Sequence, residues 1–415
     1  VSMFGNENFA NVTVGSGVHD LNITGSYNLH DSFVGSNAYY ININGLTNFY
    51  YSNAGIAQSS YRINVNGNNN FFQGAGIGTG SNYINISGDY NFYDSGSGIG
   101  IGATNVATSS YKININGDTN FYSSNAGIRS GAYNININGN SNFYMPNAGI
   151  HTGANFIGIN GTINFRGTNN HIGAYSYYLN INGFDNFYDD NCFIGKNVRY
   201  INMSGSNNFG GSAGAYIADD SISANIFGRA NFNSVAGNQS YLGGNNTNIF
   251  GTRNVREGGI WGDRTTIVGD FNAEEGALES SDNIIVGNAN VTTGIETGST
   301  ANTIIGSYNA YLNNNPHGIR NDSDNNTLIG RYIGHDVGIS SAVDNLAIGN
   351  YISYGTELFG ESNTFIGDRI AAFGPISDRY LNNGPWDDGG SPGANVNNVV
   401  VGSSACRFGL TGRNN

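Results

Sequence analysis

Residues Tyr133–Ala154 read YNININGNSNFYMPNAGIHTGA, and these 22 positions recur with small edits from about residue 21 to about residue 255. The Gly that closes the I-N-I-N-G run marks the register. It stands at Gly25, Gly45, Gly67, Gly88, Gly117, Gly139, Gly161, Gly183, Gly205, Gly228 and Gly251, at intervals of 20, 22, 21, 29, 22, 22, 22, 22, 23 and 23. A fixed period in this range is the mark of a repeat architecture. The single long interval carries a seven-residue insertion within Asp89–Asn116, and segment 96–110 reads as a loop.

Aligned on the glycine, the repeat resolves into columns. Four before it stands an aliphatic, as in Ile113, Ile135 and Ile157, and two before it another, as in Ile115, Ile137 and Ile159. Asn or a small polar residue fills the positions between and after. Alternation at period two is the pattern of a strand with one buried face. Three past the glycine comes Asn, and four past it Phe, as in Phe121, Phe143 and Phe165. Eleven past it lies Ile, as at Ile128, Ile150 and Ile172. Each unit therefore reads as about three short strands separated by Gly or Asn. One unit cannot bury its own Ile and Phe, whereas stacked units place like over like and share a continuous core. The expected fold is all-β: a parallel β-solenoid (β-helix) of about 22-residue coils. Gly at the corner accepts left-handed backbone, and stacked Asn can pass amide hydrogen bonds along the axis.

Composition fits a surface that meets other chains. Charged residues are 11% of 415, against roughly 25% for ordinary soluble domains. A net charge of −13, with Lys only at Lys112 and Lys196, argues against nucleic acid or an anionic membrane as partner. No apolar run approaches the ~18 residues of a membrane-spanning helix. Cys192 and Cys406 are too far apart in the repeat array to be expected to pair. The opening VSMFGNENF lacks the charged start and apolar stretch of a signal peptide. Both ends resemble interior pieces of a unit, so a longer polypeptide is expected.

From about residue 256 the mark becomes N-x-x-[IV]-G, at Asn283–Gly287, Asn302–Gly306, Asn326–Gly330, Asn345–Gly349, Asn363–Gly367 and Asn398–Gly402. The organisation expected is thus a regular region 1–255 and a second solenoid region 256–415, with a loop insertion at 368–397. Phrases such as DNNTLIG (324–330) and SNTFIG (362–367) resemble the head repeats of trimeric autotransporter adhesins and the repeats of bacteriophage tail fibres. Over Thr265–Asn415 that resemblance implies shorter β-roll coils in an intertwined homotrimer, extracellular and used for attachment. The alternatives are a self-assembling surface filament or sheath, joined end to end, and a monomeric solenoid that binds ice or polysaccharide.

Catalytic and metal signatures are missing from the sequence. None of His19, His30, His151, His171, His317 and His335 has metal-ligand spacing. The acidic doublets Asp189–Asp190, Asp219–Asp220, Glu274–Glu275 and Asp387–Asp388 are neighbours in sequence, and a hydrolytic carboxylate pair would have to be assembled across coils. No phosphate loop, nucleophile elbow or calcium nonapeptide occurs, so neither an enzyme nor a cofactor is expected. Two surfaces remain as candidates. One is the loop with Trp386, Asp387 and Asp388, placed to touch a host glycan. The other is the column Tyr50, Tyr93, Tyr122, Tyr144 and Tyr188, one residue past the Phe column, expected to point outward as a seam between protomers.

Overall fold

The computed structural model describes residues 1–11, 13–50, 54–72, 75–92, 98–99, 110–121, 127–128, 130–187, 192–207, 216–217, 222–229, 241–242, 245–252, 259–260, 263–269, 281–288, 300–309, 325–333, 339–352, 358–362, 364–367, 369–370 and 399–401. Among them every regular element is a strand and every pairing between strands is parallel. The chain divides into two compact units, Val1–Phe227 and Gly228–Asn415.

In the first unit a six-residue strand recurs once per coil, for example Tyr111–Asn116, Tyr133–Asn138 and Asn155–Asn160. Ile113 pairs with Ile135 and Ile135 with Ile157, so equivalent residues occupy adjacent rungs of one row. A second sheet stacks two-residue strands such as Gly127–Ile128, Gly149–Ile150 and His171–Ile172. The insertion leaves this sheet intact, because Gly98–Ile99, inside the segment read as a loop, bridges Gly76–Ile77 and Gly127–Ile128. Among the described residues the third strand of the expected unit forms only in the first coils, at Glu7–Ala10, Tyr27–His30, Thr47–Asn48 and Asn69–Asn70. Further along, the same side is held by single backbone bonds, such as Phe143 N–H to the Asn120 carbonyl at 3.0 Å.

What interrupts that side in the later coils is a left-handed residue two past the glycine, at Tyr90, Thr119, Ser141, Ile163, Asp185 and Asn207 with φ of 52–58°, where Tyr27, Thr47 and Asn69 of the first coils stay extended. The Phe column is left-handed throughout. Phe49, Phe71, Phe92, Phe121, Phe143, Phe165 and Phe187 all take φ between 53° and 56°, a left-handed conformation that costs an L-residue about 1–2 kcal/mol. Stacking offsets it. Each ring is fully buried and lies on the next at a centroid distance of 4.5–4.9 Å and within 7° of parallel. Such pairs add about 0.5–1.5 kcal/mol each beyond the area they bury.

Beside the rings runs a buried column of Asn8, Asn28, Asn48, Asn70, Asn91, Asn120, Asn142, Asn164 and Asn186. From Asn8 through Asn164, Nδ2 donates to Oδ1 of the following rung at 2.8–2.9 Å. It also donates to the carbonyl of its own corner glycine, as Asn142 does to Gly139 at 2.7 Å. That second acceptor fixes which end of the amide is nitrogen, because an oxygen there would face an oxygen. Both donors and the acceptor of a buried amide are thereby used, as burial requires.

The second unit repeats the plan with coils of uneven length, equivalent residues lying 18, 19, 24 and 19 apart. Thr266–Val268, Ile284–Val286, Thr303–Asn309, Thr327–Ile333 and Leu346–Ile352 pair in succession. Ile267, Ile285, Ile304, Leu328, Ala347 and Phe365 form the core, so the middle residue of N-x-x-[IV]-G points inward. The recurring [IV] does not; Ile305, Ile329 and Ile366 remain 37–39% exposed. Buried Asn283, Asn302 and Asn326 again donate toward the next coil.

Candidate interaction face

Each six-residue strand of the first unit has a kink at the position five before the glycine. The ladder pairs Tyr61 with Tyr39 and Ile63 with Ile41 but skips Arg62, and φ at Asp20, Tyr40, Arg62, Tyr83, Lys112, Asn134, Phe156, Tyr178 and Tyr200 lies between 54° and 58°. The skipped residue is left-handed on both partner strands, so one residue still faces one and the register is kept, and the kink repeats down the stack. It breaks the alternation, so the residues five and six before the glycine both face solvent.

The consequence is a ladder of rings that sequence reasoning missed. His19, Tyr39, Tyr61, Tyr83, Tyr111, Tyr133, Phe156, Tyr178 and Tyr200 form one unbroken chain of contacts, with centroids 4.6–6.1 Å apart. Where the sixth residue back is not aromatic, as at Asn82, Asn155 and Arg199, the fifth is: Tyr83, Phe156 and Tyr200. No single alignment column holds the ladder, which is why it hid. Its signal was the Tyr or Phe that opens nearly every I-N-I-N run.

Cations sit on this ladder. Arg62 lies 4.8 Å over the Tyr40 ring and donates to its hydroxyl at 2.9 Å. Lys112 lies 4.5 Å over Tyr83 and Arg199 5.8 Å over Tyr177. Hydrogen bonding to Tyr61, and then to Lys112, lowers the Tyr83 phenol from its usual value, while the same contact raises that of Tyr61. Next along the strand come two outward Asn columns. Nδ2 of Asn64 donates to Asn42, Asn85 to Asn64 and Asn114 to Asn85, at 2.8–2.9 Å. In the column one before the glycine, Asn138 donates to Asn116 and Asn160 to Asn138. These outer ladders donate toward lower residue numbers and the buried one toward higher. At the far edge, one past the glycine, stand exposed Asp89 and Asp118.

The Tyr column read as a protomer seam is half-buried where described. Tyr50 packs between His30 and Phe72, at 5.7 and 4.9 Å, and Arg166 covers Tyr144 at 5.4 Å. These two rings already have partners within the chain, which weakens the seam reading for them. Tyr93, Tyr122 and Tyr188 lie outside the described residues, as do Trp386, Asp387, Asp388 and all four acidic doublets. Among the described residues no group of three or more His, Cys, Asp or Glu is placed to hold a metal ion, and no helix is long and apolar enough to cross a membrane. Cys192 is buried and donates to the carbonyls of Phe165 and Gly167 at 3.2 and 3.1 Å.

His171 couples the stability of the stack to pH through its burial. It packs on Phe193 and His151, each at 5.3 Å, and burial lowers its pKa from the ordinary 6.5. The unfolded chain then takes up that proton first, so the contribution to stability is complete above about pH 6.5 and declines as pH falls below it. His171→Phe, which copies the neighbouring rung, is expected to flatten the loss between about pH 7.5 and about pH 5. Urea midpoints at the two pH values read it, and equal slopes in parent and variant would sink the assignment.

No known protein family, curated protein or solved structure matches this chain.

Proposed function

We propose that the chain is a stiff shaft of an extracellular attachment fibre, of the kind found in bacteriophage tail fibres and trimeric adhesins, and that it works by associating with copies of itself. The observation that supports this most is the coil-to-coil identity of environment. Ile over Ile, Phe over Phe and Asn over Asn, repeated in register, give a stack that lengthens coil by coil with the same contacts at every step. Attachment itself is assigned to irregular loops such as 368–397, with a host glycan as the ligand class.

An end-to-end filament is the second reading, favoured by the buried amide column. Every member donates in one direction, so a head-to-tail join matches donor to acceptor and a head-to-head join does not. Mass by light scattering on the full chain separates the readings. Three chains supports the bundle that the head-repeat resemblance implies, and open-ended polymer the filament. A single chain at all concentrations would refute self-association and leave the monomeric ice- or polysaccharide-binding solenoid.

A further inference from the structure

We infer that the outer face of the long strands, from about residue 39 to about residue 206, docks against the same face of a second copy, with the two coil stacks parallel. The inference rests on the self-association reading and specifies the surface and symmetry that carry it.

Three features of the face support a copy of itself as the occupant. The first is charge. One edge carries Arg62, Lys112 and Arg199 among the rings, and Asp20 is the one carboxylate in those two columns among the described residues. Within residues 39–206 the opposite edge carries Asp89 and Asp118 and, among the described residues, no cation; Arg229 enters that column only at the next coil. A half-turn about an axis parallel to the stack, placed over the column two before the glycine, exchanges these edges. It carries the fifth position back onto the one after the glycine, laying Lys112 over the partner copy's acidic edge. A half-turn about an axis along the strands would lay basic edge on basic edge.

The second feature is the centre of the face. The same rotation carries the Asn column three before the glycine onto the column one before it. An amide inside a run, such as Asn114 or Asn138, uses one hydrogen and one lone pair in its own ladder, leaving one of each for the facing chain. The third is size. Eight coils at about 4.8 Å, by six residue steps at about 3.3 Å, give a face of roughly 760 Å². A stable interface of standard size buries about 800 Å² per partner. The rings reinforce the choice: in the cofacial pairs such as Phe156–Tyr178, 4.6 Å apart and 12° from parallel, the ring faces are already covered and edges are what the surface presents. Edges and planar amides suit another flat sheet better than they suit the apolar face of a sugar.

Lys112 and Asp118 are about 20 Å apart along their own strand, so they do not pair within one chain, and both side chains are exposed. A charge swap therefore reads the contact between copies. The parent full chain is expected to sediment as two chains. Lys112→Asp and Asp118→Lys should each weaken the dimer about tenfold, with unchanged circular dichroism, and the double variant K112D/D118K should recover most of that loss. Two chains indifferent to both single variants would place the contact elsewhere and overturn the inference. Single losses with no recovery in the double variant would overturn the parallel arrangement. Three chains would overturn the two-fold seam and leave the fibre reading standing, while one chain would remove both. Retention of a monomeric parent on heparin, lost in Lys112→Asp, would make the stripe a site for an acidic polysaccharide instead.

Discussion

Phe143→Ala is expected to lower stability by about 3–5 kcal/mol, read as a shift of the guanidinium midpoint. The ring is wholly buried and lies between Phe121 and Phe165 at 4.7 and 4.6 Å, so truncation removes two stacking partners and opens a cavity that neither neighbour can fill. Coils on either side are fixed by their own ladders, and little collapse is available to soften the loss. Nor does alanine relieve the backbone, since φ of 53° is as foreign to it as to Phe. Phe143→Asp goes further by burying an unpaired charge. A variant within about 1 kcal/mol of the parent would mean that this column is not the core.

Gly139→Ala is the second large effect, and here the damage is to the backbone. A Cβ at Gly139 would sit 1.8 Å from the carbonyl oxygen of Gly117 and 2.6 Å from its carbon, and φ is 139°. No rotamer escapes a clash with main chain, so the corner of one coil must lift off the next. Gly117 stands in the same relation to Gly88, and Gly161 to Gly139, so the displacement cannot be passed along without meeting another corner. A loss of about 3 kcal/mol or more is expected, with faster hydrogen exchange confined to the strands around Tyr133–Asn138. Protection equal to the parent there would show that the corner is looser than its geometry.

The architecture was legible because its cause is periodic. Once Ile113, Ile135 and Ile157 stood at equal spacing, one lap per repeat followed, and the Phe and Asn columns came with it. What stayed hidden depends on backbone angles rather than residue type. Left-handed Phe is a choice that propensity disfavours, made possible by rings stacked above and below it. The kink at the fifth position back leaves no mark in composition, being filled in turn by Tyr, Arg, Lys, Asn and Phe. Without it the aromatic residues of two columns could not be recognised as one ladder, and attention went to the Tyr after each Phe instead. In the N-x-x-[IV]-G coils the most regular aliphatic is the one left half-exposed, while the core position beside it ranges from Ala347 to Phe365.

The interval of 29 residues between Gly88 and Gly117 leaves Ile84 directly over Ile113. Extra chain is thus set aside without disturbing the lattice, and each turn is indifferent to how many others exist. A gene built this way can gain or lose whole turns by recombination between near-identical segments. Each event would change the reach of the first unit by about 4.8 Å and require no compensating substitution in either neighbour. Length, in such a molecule, is a heritable quantity that can be adjusted almost independently of everything else.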